Sequence, residues 1–367
     1  MPDKLKIAIL GTRGIPNRYG GFEECAEKLS VRLASKGHQV AVYTDAAHPV
    51  REKQWKGVER ILKENPEHWM GTAGQFFYDL RCNLNSRHRA FDIILHLGYT
   101  SDSVWQQLWP SESVHIVNMD GLEWQRSKYS RPVRGFLKYA EKLAAKKADW
   151  LVADSLPIME YLEKNYNKPI RHIAYGADIP ETIDEKVPSE FGLINRDYDL
   201  IVARIIPDNN IEMILKAREK GKDRTPLMIL CNRNRMMNEL KEKYSHLDFI
   251  NFHGPVYEKS KVSSLRFHCR YYIHGHSAGG TNPSLLEAMA CSSPVIAHDN
   301  PFNRAVLGPD AQYFGSAEAL ADILEGNPRE DINKHIQNNL QKVKDVYNWD
   351  AISHAYEKLF YESLDKH

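Results

Sequence analysis

The segment His274–Pro301, HGHSAGGTNPSLLEAMACSSPVIAHDNP, concentrates residue types suited to an anionic, hydroxyl-rich ligand. A strand ends near Gly275, small residues run from Ser277 to Thr281, and a helix is expected over Ser284–Ala290. Asn282 has the chemistry of an N-cap, and Pro283 suits the first helical position. The amides of Gly279, Gly280 and Thr281, with the positive end of that helix, would hold a diphosphate. Glu287 lies among apolar neighbours, where a carboxylate must be paired or hydrogen-bonded. Ribose hydroxyls would supply those bonds, and an internal salt bridge is the alternative. His276 sits beside the loop as either a ligand contact or a structural histidine.

Three further segments carry candidate chemistry. GTRGIPNRYGGFE (Gly11–Glu23) follows the first strand, and Gly20 and Gly21 precede a helix expected from Phe22. Glycines there permit tight turns and close approach to phosphate, with Arg13 and Arg18 as contacts to phosphate or acceptor. Its spacing is not the dinucleotide fingerprint G-x-G-x-x-G, which weakens a dehydrogenase reading. ARIIPDNN (Ala203–Asn210) places Arg204 at the carboxyl end of a strand, where a guanidinium makes two-pronged contacts to phosphate. VNMDGLEW (Val117–Trp124) places Asp120 on a turn, as a base or sugar-positioning group with Glu123 behind it, or as part of an Asx-type turn. His274 and His276 do not make a convincing metal site, and no Asp-x-Asp stands at the carboxyl end of a strand, so no metal is expected.

The elements that must position these groups alternate. KIAIL, QVAVYT, FDIILHL, SVHIVNM and WLVAD read as strands covered on both faces, with helices expected at Phe22–Lys36, Gly74–Arg89, Val133–Lys147 and Pro157–Asn165. The pattern lapses over Ile179–Asp197 and restarts with DLIVAR, PLMILC, DFINFH, RYYIHG and PVIAH. This predicts an α/β fold of two Rossmann-like domains facing each other across a cleft, with ligands at the strand carboxyl ends. The expected boundaries are 1–180 for an acceptor domain, 181–197 for a linker and 198–345 for a donor domain. A carboxyl-terminal helix within 346–367 would pack back on the first domain.

Composition bounds the partners. The 367 residues, 42% hydrophobic and 26% charged with net charge +1, suit two globular cores and argue against nucleic acid as the main partner. The cysteines Cys25, Cys82, Cys231, Cys269 and Cys291 form no C-x-x-C pair, so a reducing cytoplasm is expected. The amino terminus does not read as a signal peptide, and no apolar stretch would span a bilayer. Gln125–Lys147 interleaves basic and aromatic residues, either for peripheral attachment to anionic lipid heads on the inner membrane face or as a solvated helix face. Trp69, Phe76, Phe77 and Tyr78 read as an acceptor groove or as core.

Taken together, the motifs resemble the retaining GT-B glycosyltransferases of family 4 over nearly the whole chain. LLEAMACSSPVIAHD resembles that family's donor motif, and Glu287 matches the glutamate that binds the nucleotide ribose. Where the family's E-x7-E pattern has its first glutamate this chain has Gly279, and where the family has a lysine five residues after the arginine it has Asn209. By the same resemblance, Val256 and Tyr257, after the strand ending at Gly254-Pro255, flank the nucleobase through backbone groups. GTRGIPNRYGGFE, VNMDGLEW and GHSAGGTNPSLLEAMA with AHDNPFNR are similar to a subgroup containing bacterial polysaccharide rhamnosyltransferases. The resemblance implies a retaining, metal-independent enzyme with no cofactor. The implied donor is dTDP-L-rhamnose or another nucleotide sugar such as a UDP-sugar, and the acceptor a polyprenyl-diphosphate-linked saccharide. A sugar-nucleotide epimerase and a scaffold without catalysis are the alternatives on the same architecture.

Overall fold

The structure, a computed structural model of the chain, describes residues 4–326 and 330–366. Residues 1–3 of the expected acceptor domain, 327–329 of the expected donor domain and 367 of the last segment lie outside the described residues. The chain forms two units. The first comprises the chain up to Gln125, Tyr129–Tyr175 and the chain from Trp349 onward. The second comprises Arg126–Lys128 and Gly176–Asn348.

In the first unit the strands are β1 (Lys6–Leu10), β2 (Gln39–Asp45), β3 (Gln54–Trp55), β4 (Val58–Lys63), β5 (Ile93–Leu97), β6 (Val114–Asn118), β7 (Trp150–Ala153) and β8 (Ile170–His172). They form one sheet in the order β3-β4-β2-β1-β5-β6-β7-β8. Every pairing is parallel except the short β3–β4 hairpin. Ala8 and Leu10 of β1 pack into a core with Tyr43, Ile61, Tyr78 and Phe91. Ile7 and Ile9 alternate with them and are equally buried, so both sheet faces are covered. Burial of each such isoleucine contributes roughly 1.5–3 kcal/mol.

The second unit repeats the plan with β9 (Asp199–Val202), β10 (Leu227–Leu230), β11 (Ile250–His253), β12 (Tyr271–His274), β13 (Val295–His298) and β14 (Gln312–Phe314). Their order is β11-β10-β9-β12-β13-β14, parallel throughout. Ile201, Ile229 and Ile273 belong to one core, and Leu200, Met228 and Tyr272 to the core on the other face. Two Rossmann-like α/β units in one chain is the expected fold class, here in the GT-B architecture.

Two features differ from the sequence reading. Strands β3, β4, β8 and β14 carry no continuous apolar run. They lie at or next to sheet edges, and β4 holds a buried Arg60 whose guanidinium bonds the Ile15 and Val50 carbonyls. The segment 181–197, expected as a linker, is built into the second unit. A short helix, Val187–Glu190, inserts there, and Val187 and Leu193 enter the core beside Tyr198 and Leu200. Its charges and prolines masked two apolar anchors. The last helix, Trp349–Leu364, falls within the expected 346–367 and lies in the first unit. There Asn118 Nδ2 on β6 donates to the Tyr356 hydroxyl at 2.9 Å, Arg32 meets Asp350 at 2.6 Å, and the His38 ring bonds Glu357 at 3.1 Å. Among the described residues no helix is long and apolar enough to cross a membrane.

Candidate active site

In the second unit the loops after β9 and β12 are locked together. Residues 207–209 form a 3-10 turn, and Asn210 adopts φ +51° before helix Ile211–Lys220 begins. Asn210 Nδ2 donates to the Gly275 carbonyl at 2.8 Å, and both the amide and hydroxyl of Ser277 donate to the Asp208 carbonyl. Gly275 must be glycine, because a Cβ there would stand 2.2 Å from the Asn209 carbonyl oxygen.

Arg204 is exposed, while its backbone is held from below. Asn209, buried, donates from Nδ2 to the Arg204 carbonyl at 2.7 Å. The next amide, Ile205, donates to Asn232 Oδ1 at 2.9 Å. Asn209 thus shapes the turn that presents Arg204, with its own amide group turned to the backbone.

His276 senses that guanidinium. Burial, then Arg204 and Arg126, push its pKa down to about 3. It stacks on His274, with ring centroids 4.4 Å apart and planes 15° apart. His274 is buried, and neither of its ring nitrogens has a hydrogen-bond partner. Burial, followed by His276, Arg266 and His298, holds its pKa well below the usual histidine value. Both rings are therefore neutral. The carbonyl of His276 accepts from Asn300 Nδ2 and Asn303 Nδ2, which fixes the start of the loop.

The loop Ser277–Thr281 leads to helix Pro283–Ala290. The Asn282 side chain caps it by accepting from the Ser284 amide at 2.9 Å, and Pro283 takes the first position as expected. Gly279 has φ +111°, a backbone state closed to a side-chain-bearing residue, and its Cβ position lies 3.5 Å from Arg126 Nη2. Gly280 is half-buried and Thr281 buried. Arg126 was not among the expected site residues. It belongs to a three-residue stretch tied to the second unit by Ser127, whose amide and hydroxyl both donate to Asp208 Oδ1. The sequence offered no signal for it beyond its place in a basic stretch.

Glu287 has a partner inside the protein. Arg266 Nη2 meets Glu287 Oε2 at 2.6 Å, with the arginine side chain 5% exposed and the glutamate 34%. Burial alone would lower the Arg266 pKa, but Glu287 and neighbouring groups more than reverse this and hold it above its usual value. Arg266 Nη2 also donates to Ser284 Oγ, and that hydroxyl donates to the Val202 carbonyl of β9. The salt-bridge alternative is thus realised, and the carboxylate keeps an accessible third. Val256 packs on the core cluster that contains Ala288, while Tyr257 is 86% exposed.

In the first unit, helix Gly21–Ser35 starts as the paired glycines suggest, with Gly20 as its N-cap. That helix end already carries a carboxylate, since buried Glu23 accepts from the Arg13 amide at 2.9 Å. The Arg13 guanidinium is spent on Glu67, with Nη2 2.6 Å from Oε1 and Nε 3.1 Å from Oε2, and it lies 3.7 Å from the centre of the Tyr19 ring. Expected at phosphate or acceptor, Arg13 instead braces the loop. Arg18 is exposed. Asp120 follows β6 with φ +48°, and its amide donates to Asn118 Oδ1 at 2.9 Å, so the Asx turn belongs to Asn118. Glu123 opens a 3-10 turn and accepts from the Tyr129 hydroxyl at 3.4 Å. Among the described residues no group of three or more His, Cys, Asp or Glu side chains is placed to hold a metal ion.

Two Rossmann-like units, one with a capped loop and an exposed arginine at its strand ends, fit the GT-B glycosyltransferases. Comparisons with known proteins agree. Residues 192–339 match the family Glycosyl transferases group 1, and residues 4–178 match a family described as a domain of unknown function, DUF1972. The chain is 26% identical over 278 residues to the uncharacterized glycosyltransferase MJ1069 of Methanocaldococcus jannaschii, covering 67% of each chain. It is 25% identical over 162 residues to alpha-monoglucosyldiacylglycerol synthase of Streptococcus pneumoniae, covering 41% of this chain and 36% of that one. In fold it resembles sucrose-phosphate synthase from Thermosynechococcus elongatus, with TM-score 0.84, 16% identity and coverage of 99% and 100%. Anabaena Alr3699/HepE, solved in complex with UDP and glucose, gives TM-score 0.76, 15% identity and coverage of 98% and 100%. The protein is a glycosyltransferase with the GT-B fold.

Proposed function

We propose that the enzyme moves a sugar from a nucleoside-diphosphate donor to a lipid-linked saccharide with retention at the anomeric carbon. The observation that carries this is the charge pattern at the head of helix Pro283–Ala290. Two guanidinium groups, Arg204 and Arg126, bear on a neutral His276 beside an amide-rich glycine turn. Such an arrangement suits a diphosphate and would stabilise it as it leaves. The accessible edge of Glu287 takes the ribose, and backbone groups near Val256 and Tyr257 flank the base. Asn282, Thr281 and Gly280 supply loop contacts, and Asn209 holds Arg204 in place.

On the first unit, taken by itself, Asp120 and Glu123 are the groups we assign to the acceptor, and Arg18 with the backbone of Gly20 and Gly21 the groups we assign to further ligand contacts. In the reaction the bond from the anomeric carbon to the diphosphate oxygen breaks. The acceptor oxygen bonds that carbon on the same face, and its proton passes to the departing phosphate. No divalent ion is required where arginines and helix amides neutralise the leaving group, so activity should persist in EDTA. The Streptococcus pneumoniae relative is named for a glycolipid product, which supports a lipid-linked acceptor.

The donor we favour is dTDP-L-rhamnose and the acceptor a polyprenyl-diphosphate-linked sugar of bacterial surface polysaccharide, made at the cytoplasmic membrane face. A deoxysugar has one hydroxyl fewer to hold, which suits Gly279 at the position of a family glutamate. A thermal-shift panel of nucleotide sugars, followed by transfer to a lipid-linked acceptor, tests this. Stabilisation and turnover with dTDP-rhamnose are expected. Stabilisation by a UDP-sugar alone would overturn the donor assignment.

A further inference from the structure

Two helices of the first unit share an unusual disposition of charge. Helix Arg131–Lys147 carries Arg131, Arg134, Lys138, Lys142, Lys146 and Lys147 against one acid, Glu141. That acid is buried, 1% exposed, and accepts from Trp124 Nε1 and the Tyr161 hydroxyl at 2.8 Å and from the Tyr166 hydroxyl at 2.5 Å. Lys138 is drawn inward with it, 2.8 Å from Glu141 and 4.4 Å from the centre of the Trp124 ring. Helix Ala73–Ser86 likewise has one acid, Asp79, and it is 2% exposed. No acid of either helix is therefore on its outer surface, in a chain whose net charge is only +1.

The same surface is aromatic. The helices meet where the tilted rings of Phe76 and Phe136 lie 5.7 Å apart between centres. Phe136 remains 37% exposed, Tyr139 57%, Val133 40% and Phe77 45%. Lys142 and Lys146 lie three and seven residues beyond Tyr139, on the same exposed stripe of the helix. Lysines with exposed rings between them suit the headgroup region of a bilayer, where stems and rings enter the interface and ammonium groups meet anionic lipid.

We propose that the exposed face of helix Arg131–Lys147 docks this unit on an anionic lipid surface. The occupant is a bilayer rather than a protein groove, because the face pairs basic charge with separated aromatic rings and carries no acid to oppose a polyanionic sheet. It rests on the lipid-linked acceptor reading, which gives the docking its purpose.

Flotation with phosphatidylcholine vesicles, with and without about one-third phosphatidylglycerol, tests it. The enzyme should float with the anionic vesicles and be released by added salt, because exposed charges are screened. The pair Lys142→Glu/Lys146→Glu should weaken binding roughly tenfold or more, and Phe136→Ser/Tyr139→Ser should do so with less salt dependence. Unfolding temperature and transfer to a short-chain, water-soluble acceptor should stay unchanged in both. Equal flotation on neutral vesicles, unchanged binding by the charge-reversed pair, or preference for RNA over vesicles would overturn the proposal. If the salt-sensitive binding is present while no lipid-linked saccharide is consumed, the surface stands and the acceptor reading falls. If soluble acceptor is used but no vesicle is bound, the reverse holds.

Discussion

Glu287 and Arg266 form an ion pair at 2.6 Å in which the guanidinium is buried and the carboxylate is one-third exposed. Removing the carboxylate strands a buried charge, a loss of 3–5 kcal/mol for a fully buried pair, which partial exposure reduces to about 1–3 kcal/mol. Glu287→Ala should therefore lower both the unfolding temperature and donor affinity. Ala in place of both residues should regain part of the stability and none of the activity. Calorimetry with steady-state kinetics separates the two effects, and full donor affinity in either variant would remove Glu287 from the ribose contact.

Arg204 presents its guanidinium from a turn whose backbone other residues hold. Arg204→Ala should leave the unfolding temperature nearly unchanged and weaken donor affinity about 10- to 100-fold, the worth of a charge-assisted hydrogen bond. Asn209→Lys, which restores the family residue, should not raise activity. Asn209 is 4% exposed and braces the Arg204 carbonyl, so the lysine must bury a charge or break the turn. A donor-binding isotherm for each variant checks this.

The stacked pair His274–His276 is neutral in the folded protein, and an unfolded histidine titrates near 6.5. As pH falls through that value the unfolded chain takes up protons that the folded chain refuses. Stability is lost from about pH 6.5 downward, at up to about 1.4 kcal/mol per pH unit for each ring. The loss attributable to His276 continues toward its folded pKa of about 3. His274→Phe keeps the stack and removes one titrating group. Its unfolding temperature should fall less steeply between about pH 6.5 and 5 than that of the unaltered enzyme. Parallel curves would mean that His274 is protonated in the folded state.

Asp120 holds φ +48°, a state that Asn and Gly tolerate and β-branched residues do not. Asp120→Asn should preserve the fold, and a fall in kcat of about 100-fold or more would mean that the carboxylate, rather than the departing phosphate, takes the acceptor's proton. A change confined to KM would make it a positioning group. Asp120→Val should cost about 1–3 kcal/mol through backbone strain, read from chemical denaturation.

The central strands were legible because they are covered on both faces and written as unbroken apolar runs. The edge strands β8 and β14 were not, since half-solvated edges carry mixed residues. Glu287 stood out as a carboxylate among apolar neighbours, yet its partner Arg266 lies on helix Lys259–His268, with β12 between them, and only tertiary structure joins the two. Arg126 was hidden for a similar reason, since it comes from the first half of the chain and packs with the second unit. Arg13 was visible as a charge in a glycine loop, but its commitment to Glu67 depends on a helix more than fifty positions away.

Tyr356, which bonds Asn118, is made long after the sheet that it supports. At about 5–20 residues per second on a ribosome, the first unit waits on the order of ten seconds or more for its closing helix. The second unit needs only that short basic stretch and one continuous run of chain. During synthesis, then, the later-written unit is the first that can finish, and nascent chains stalled before Trp349 would expose the flank of the first helix to chaperones.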